Sequence, residues 1–292
     1  MKPAPFKYIA ASSLDHALSL KAEYGDEARF LAGGQSLIPT MNFRLARPDV
    51  LIDINGLKGL AGVHRPSGEP IRVGALTRYR DLERDRDFLA ACTLFAEALP
   101  HIAHPQIRNR GTIGGNLSHA DPASELPALA VAMEAWMRLK SSTGERRVEA
   151  SAFFQGALIT GIQSNEMLVE IEFPRPDPAT GTCFMEMARR RGDFALAGVA
   201  AMVSLDEARR CTKMRLALCG VGETPVDASE AAARLIGQIL TDEAVEVVAA
   251  NVQEMIEPSG NVHATSDYQR HLAGVLTQRA LGVACKRAGH GN

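Results

Sequence analysis

The sequence has no long hydrophobic run, no CxxC pair, one tryptophan and no excess of either charge. Each shortage excludes something. Phe194 to Val203, its most apolar stretch, falls well short of the ~20 residues a membrane-spanning helix needs. The opening MKPAPFKYIAASSLDHAL has an early lysine but no continuous apolar core, so it is not expected to be a secretory signal. Cys92, Cys183, Cys211, Cys219 and Cys285 are odd in number. They are expected to be reduced, mostly buried thiols of a cytoplasmic protein, and they offer no standard spacing for an iron–sulfur cluster held by this chain alone. One Trp and four Tyr give no aromatic platform for nucleic acid, and 32 basic residues against 34 acidic ones leave no electrostatic footprint for it.

What is present is ordinary globular material. At 292 residues and 46% hydrophobic, the chain can bury two cores, which rules out disorder. Residues 12–25 read as a helix with a capping-box variant, Ser12 and Asp15, and Gly25 past its end. A short strand, Ala28 to Leu31, leads into Gly33-Gly34. A helix follows, with Ser36 near its N-cap, Pro39 in its first turn and Arg47-Pro48 as its stop, and then the strand Val50 to Ile54. Thr77 to Leu99 reads as a charged helical region, Glu125 to Met133 as a buried helix, and Trp136–Lys140 with Arg146–Val148 as strands joined by a turn.

Three prolines within Phe173 to Pro178 mark a linker. Beyond it, Cys183–Arg189, Leu196–Leu205 and Lys213–Cys219 read as antiparallel strands. Helices are expected over Ala228–Ile239, Thr241–Ile256 and Ser266–Ala284, the last with Tyr268, Leu272, Val275, Leu276 and Val283 on one face. The expected fold is α+β. A first domain spans 1–176, divided into a small βαβ part (1–57) and a larger part (58–176). A C-terminal domain of antiparallel sheet and helices spans 177–292.

Two segments carry most of the chemistry: Ala32-Gly33-Gly34-Gln35-Ser36 and Thr112-Ile113-Gly114-Gly115-Asn116. Paired glycines let backbone N–H groups approach a diphosphate with no Cβ in the way, and a helix start adds its positive end. A glycine pair in a sharp turn is also a common structural device, and the residues leave both readings open. A Rossmann reading has Asp53 about 20 residues after the first pair, where a ribose-binding acid sits. GGQSL is not GxGxxG, however, the repeated strand–helix units are missing, and Pro225 occupies the third-glycine place of Gly220-Val-Gly222.

Taken together, LAGGQSLIPTMNFRLARPDVLIDING and HPQIRNRGTIGGNLSHADPASELPALAVAM resemble the flavin-binding medium subunits of molybdenum hydroxylases, the xanthine dehydrogenase and aerobic carbon monoxide dehydrogenase group. ARRRGDFALAGVAA and SDYQRHLAGVLTQRAL resemble that family's C-terminal domain, so the likeness runs from Phe6 to about Ala284. It implies noncovalent FAD, with Ala32 to Leu37 and Thr112 to Asn116 around the diphosphate and ribityl chain. It further implies Glu125 near the sugar chain, Ile102 packed against the cofactor, and Arg190, Asp193 and Phe194 facing the isoalloxazine. Glu186 departs from the family, whose members often have Lys there. No cysteine-bearing insertion lies between Asn116 and Val148, so the [4Fe–4S] cluster of some relatives is not expected.

The resemblance also implies an electron-transfer subunit with no catalytic residue toward the organic substrate. A large partner would hold the molybdopterin cofactor and a small partner two [2Fe–2S] clusters, in a dimer of heterotrimers. The electron acceptor, NAD, a quinone or another, is left open. Two alternatives are a stand-alone flavin oxidoreductase, including the covalent type, for which Gln35 stands where His or Cys is usual, and an assembly subunit without flavin.

Other residues have plainer readings. His101 and His104 have a metal-binding spacing, yet Pro100 and Pro105 argue against a helix between them. His119 and Asp121 lack an accompanying nucleophile. Arg189-Arg190-Arg191 reads as a cofactor or subunit contact, and Met185, Met187 and Met202 as core filling.

Overall fold

The computed structural model describes residues 2–288; position 1 of the expected first domain and positions 289–292 of the expected second lie outside them. The chain begins with β1 (Lys7–Ala10), α1 (Leu14–Tyr24), β2 (Ala28–Leu31), α2 (Leu37–Asn42) and β3 (Val50–Asp53). They form a parallel sheet of order β1-β3-β2, in which Val50 pairs with both Lys7 and Ala28. Strand β1 is short and largely exposed, so its sequence gives no apolar alternation, and pattern reading passes over it.

The cap of α1 is Ser13, not Ser12. The Ser13 hydroxyl accepts from the His16 N–H at 3.0 Å, while the Ser12 hydroxyl faces the His16 ring. Helix α2 ends at Asn42, well before Arg47-Pro48. The chain turns at Arg44 (φ 60°), and the Leu45 N–H donates to the Thr40 carbonyl.

The middle unit contains β4 (Val63–His64), β5 (Ile71–Gly74), α3 (Tyr79–Arg84), α4 (Arg86–Ala91), α5 (Thr93–Ala98), α6 (Pro105–Arg108), α7 (Ile113–His119), α8 (Glu125–Ala132), β6 (Trp136–Lys140), β7 (Glu145–Glu149), α9 (Ala150–Phe153), β8 (Phe154–Gly156), β9 (Ile159–Thr160) and β10 (Met167–Phe173). Its main sheet is antiparallel, in the order β4-β5-β10-β6-β7. The charged helical region from Thr77 to Leu99 consists of three short helices. Asp85 breaks the first boundary, where its carboxylate caps α4 by accepting from the Phe88 N–H at 2.9 Å.

Pro174 to Thr180 connect this unit to an antiparallel meander of β11 (Gly181–Ala188), β12 (Ala195–Leu205), β13 (Cys211–Cys219) and β14 (Val226–Asp227), followed by α10 (Asp242–Met255) and α11 (Ser266–Arg287). The expected helix over Ala228–Ile239 is instead a 3-10 segment, Ser229–Leu235. Hydrogen bonds tie it to β13: the Leu216 N–H donates to the Ser229 hydroxyl, and the Gly237 N–H to the Cys211 carbonyl. In α11 the buried face includes Leu272 and Leu276, but Tyr268 is exposed and Gln269 turns inward. The Gln269 amide donates to the carbonyls of Leu196 (2.9 Å) and Gly220 (2.8 Å).

Strand β12 is nearly all apolar because both faces of its sheet are covered. Phe184, Ala200, Ala217 and Cys219 pack with α8 in the middle unit's core. Cys183, Val199, Ala201 and Leu218 pack under α10 and α11. Every residue of α8 is buried accordingly. Met185 and Met202 pack against these cores, whereas Met187, at the open end of β11, is 40% exposed and fills none.

Candidate cofactor site

The two glycine pairs meet. An added Cβ at Gly33 would fall on the Arg110 carbonyl and lie 2.9 Å from the Gly111 Cα, so only glycine lets the β2–α2 loop reach the segment leading into α7. Gly34 adopts φ +73°. The loop is braced from below: the Asn55 amide donates to the Ala32 carbonyl (2.8 Å) and the Asp53 carboxylate (2.8 Å). The same carboxylate accepts from the Tyr8 hydroxyl and the Asn55 N–H. Asp53 is therefore a brace for the loop and not a ribose ligand.

The pairs then differ in chemistry. The N–H groups from Gly33 to Leu37 have no hydrogen-bond acceptor among the described residues. Those of the second pair are spent inside the fold: Ile113 donates to Thr77, Gly114 to Ala75, Gly115 to the Thr112 hydroxyl and Asn116 to the Thr112 carbonyl. Gly114 and Gly115 thus lie in the first turn of α7, not in a sharp turn. A Cβ on Gly114 would strike Ala75, whereas one on Gly115 would meet only the Thr112 hydroxyl at 2.8 Å and, at 3.9 Å, the Ala32 Cβ across the gap.

Between the loops opens a cleft of about 1120 Å³, walled by all three units of the fold. That exceeds the ~300–1000 Å³ of sites for drug-sized ligands and suits a dinucleotide. Of the residues expected at a cofactor, Ala32 to Leu37, Ile102, Thr112, Gly114, Gly115, Asn116, Glu125, Asp193 and Phe194 line it. Two do not. Ile113 is fully buried in the core, and Arg190 is exposed away from the wall, where its neighbour Arg189 takes the place.

At one end the Arg189 guanidinium lies 3.2 Å from the His263 ring, and Phe194 is 68% exposed at the mouth. Gly192 (φ +86°) lets this loop close on Ala103 and His104. At the other end the buried Lys21 donates to the carbonyls of Gly25 (2.5 Å) and Ala28 (2.9 Å), beside Asp26 and Arg29. Burial lowers the Lys21 pKa, with the Arg29 charge adding to it.

Sequence reading missed this end, and also the 158–168 wall. There Glu166 accepts two bonds from Arg146 (2.7 and 2.8 Å) and one from the Gln163 N–H (2.8 Å). A charge pairing across 20 residues has no periodic signal.

His101 is no metal ligand in this arrangement. Its Nδ1 sits 3.1 Å from the Glu186 carboxylate, which is 2% exposed, and its ring meets Phe184 edge-on. The Glu125 carboxyl lies in the cleft wall at the start of α8, pushed up to about 8 by burial against a bond from its own backbone N–H, with the Glu186 and Asp121 charges adding to the rise. Its carboxyl also raises the Tyr79 phenol, already raised by burial.

A cleft with a bare run of amides at a glycine loop, an apolar end at Ile102 and Phe194, and walls from three units defines a dinucleotide-cofactor-binding protein. Comparison with known proteins narrows this. Residues 4–176 match the FAD binding domain in molybdopterin dehydrogenase, and residues 182–284 the CO dehydrogenase flavoprotein C-terminal domain. The chain belongs to this family: it is an FAD-binding medium subunit of the molybdenum hydroxylases, an oxidoreductase subunit whose cofactor is FAD.

It is 39% identical to the 6-hydroxypseudooxynicotine dehydrogenase complex subunit alpha of Paenarthrobacter nicotinovorans, over 99% of this chain and 97% of that one. It is 40% identical to the caffeine dehydrogenase subunit beta of Pseudomonas sp. (strain CBB1), over 99% and 98%. A solved carbon monoxide dehydrogenase chain from Hydrogenophaga pseudoflava superposes with a TM-score of 0.96 at 38% identity, covering 99% of this chain and all of that one.

Proposed function

We propose that this chain holds FAD noncovalently and relays electrons between the [2Fe–2S] clusters of a small partner subunit and an external acceptor. A large partner subunit carries the molybdopterin cofactor and the organic substrate, and the assembly is a cytoplasmic dimer of heterotrimers. The observation that carries this reading is the run of unbonded N–H groups from Gly33 to Leu37, facing Gly115 across a dinucleotide-sized cleft. Bound FAD supplies the exchange between two-electron and one-electron carriers.

The chain's own residues do the rest. The Gly33–Leu37 amides and the polar groups of Ser36, Thr112 and Asn116 bind the diphosphate and sugar chain. Gln35 stiffens the loop, its amide donating to the Gly33 carbonyl at 2.9 Å. Ile102 and Phe194 cover the ring system and exclude water, with Asp193 beside it. Neither NAD nor a quinone is favoured by a particular contact.

The test mixes the lone chain, and separately the reconstituted complex, with each candidate hydroxylase substrate under anaerobic conditions. The flavin absorbance should bleach only in the complex and only with the substrate its large subunit accepts. Bleaching or substrate turnover by the lone chain contradicts the relay.

A further inference from the structure

One end of the cleft is shaped by a short segment in an uncommon conformation. Between α5 and α6 the chain runs Ile102-Ala103-His104, and all three residues line the cleft. Ala103 adopts φ 45°, the left-handed region that a residue with a Cβ rarely enters. Alanine gains nothing locally from that backbone, so the surroundings must hold it there.

The holder is Arg108, the last residue of α6. Its Nη1 donates to the carbonyls of Ile102 and Ala103, each at 2.9 Å. Its Nε lies 2.8 Å from the Glu83 carboxylate on α3, an ion pair between side chains that are 11% and 16% exposed. The planar guanidinium is thus fixed on two sides, by carbonyls on one and a carboxylate on the other. Neither Arg108 nor Glu83 lines the cleft. The Ala103 carbonyl also bears on the C-terminal unit: a Cβ added to Gly192, two residues before Phe194, would come within 2.7 Å of it. One guanidinium therefore sets both the backbone that carries Ile102 and the seat of the loop that carries Asp193 and Phe194.

We propose that Arg108 is a positioning residue for the flavin ring: anchored by Glu83, it holds Ala103 in the left-handed conformation, which seats Ile102 on the ring system and keeps water from it. This rests on the FAD reading above and adds to it a residue outside the cleft. The arginine acts through the backbone, its charge being balanced by Glu83.

The experiment uses the full chain loaded with FAD and reads the absorption band of the bound flavin. An isoalloxazine in a dry apolar seat shows a resolved shoulder on that band, and water blurs it. Ile102→Ala strips the cover and should lose the shoulder. Arg108→Ala should lose it too, with FAD still bound through the Gly33–Leu37 loop. The double variant should resemble Ile102→Ala alone, since both changes act on the same contact. Ala103→Gly in the Arg108→Ala background should restore the shoulder, because glycine holds a positive φ without a brace. A general loss of stability would not be repaired by that glycine.

A wild-type band in Arg108→Ala, a double variant blurred well beyond Ile102→Ala, or no recovery with Ala103→Gly overturns the proposal, as does a wild type that binds FAD without the shoulder. If Arg108→Ala fails to fold, Glu83→Ala, which frees the guanidinium, takes its place with the same expected outcomes. A wild-type chain that takes up no FAD rejects the FAD reading itself, a separate result.

Discussion

Glycine does two jobs in this cleft, and single substitutions separate them. Gly33 and Gly114 are required by packing, because a methyl group on either meets backbone or a fixed neighbour. Gly33→Ala is expected to cost about 1–3 kcal/mol, as overpacking does, and urea unfolding of the flavin-free chain would read it. Gly115 faces the gap between the loops, with the Thr112 hydroxyl its one close neighbour. Thr112→Ala removes the α7 cap, about 1 kcal/mol, together with the hydroxyl offered to the cofactor. Gly115→Ala should lower flavin occupancy well below the wild-type level at similar stability; wild-type occupancy in this variant would remove Gly115 from the cofactor wall.

At this scale the sequence was informative where a residue type is rare in its role. GGQS and TIGGN stand out as motifs, while nothing local marks Lys21 or Glu166 as part of the cleft. Their burial is decided by partners far along the chain, which no local pattern records.

At the scale of elements, the long apolar strands and the buried α8 were legible because both faces of their sheet or helix are covered, and so nearly every position is hydrophobic. The errors fall where side chains compete with the backbone. Asp85 divides the helical region between Thr77 and Leu99, and Ser229 with Asp227 turns the helix expected over Ala228–Ile239 into a 3-10 segment by bonding to β13.

The 161–166 wall of the cleft depends on a similar contact. Arg146 holds the Glu166 carboxyl below its usual value, chiefly through their hydrogen bond. A carboxyl whose folded value is depressed adds stability above its unfolded value, and that stability is lost as pH falls through the folded one. Glu166→Gln should therefore lower the melting temperature at pH 7 by an amount equivalent to about 1 kcal/mol, the pair being partly open to solvent. The gap between variant and wild type should close as pH drops below ~4. A gap that persists in acid would mean that packing, not charge, holds the loop.

Across the whole molecule, the C-terminal sheet is fastened to the middle unit through Glu97. Its carboxylate accepts from Arg287 at 2.8 Å and from Thr182 and the Phe184 N–H at 3.3 Å. Glu97→Ala leaves those donors unpaired at the junction. Calorimetry should show the C-terminal unit unfolding at lower temperature, with a loss of about 1–3 kcal/mol.

This arrangement explains why one chain brings three units to one cleft. The first unit and α7 supply the glycine walls, and the C-terminal unit adds Arg189, Asp193, Phe194 and His263. Composition could not foresee that meeting, although the near-neutral overall charge and the unpaired cysteines are in keeping with the proposed relay, in which another chain supplies the iron–sulfur clusters. The most direct test is acid precipitation of the purified chain followed by an absorbance scan of both fractions. Noncovalent FAD leaves a yellow supernatant with one flavin per chain. A yellow pellet, or no flavin in either fraction, would contradict the account.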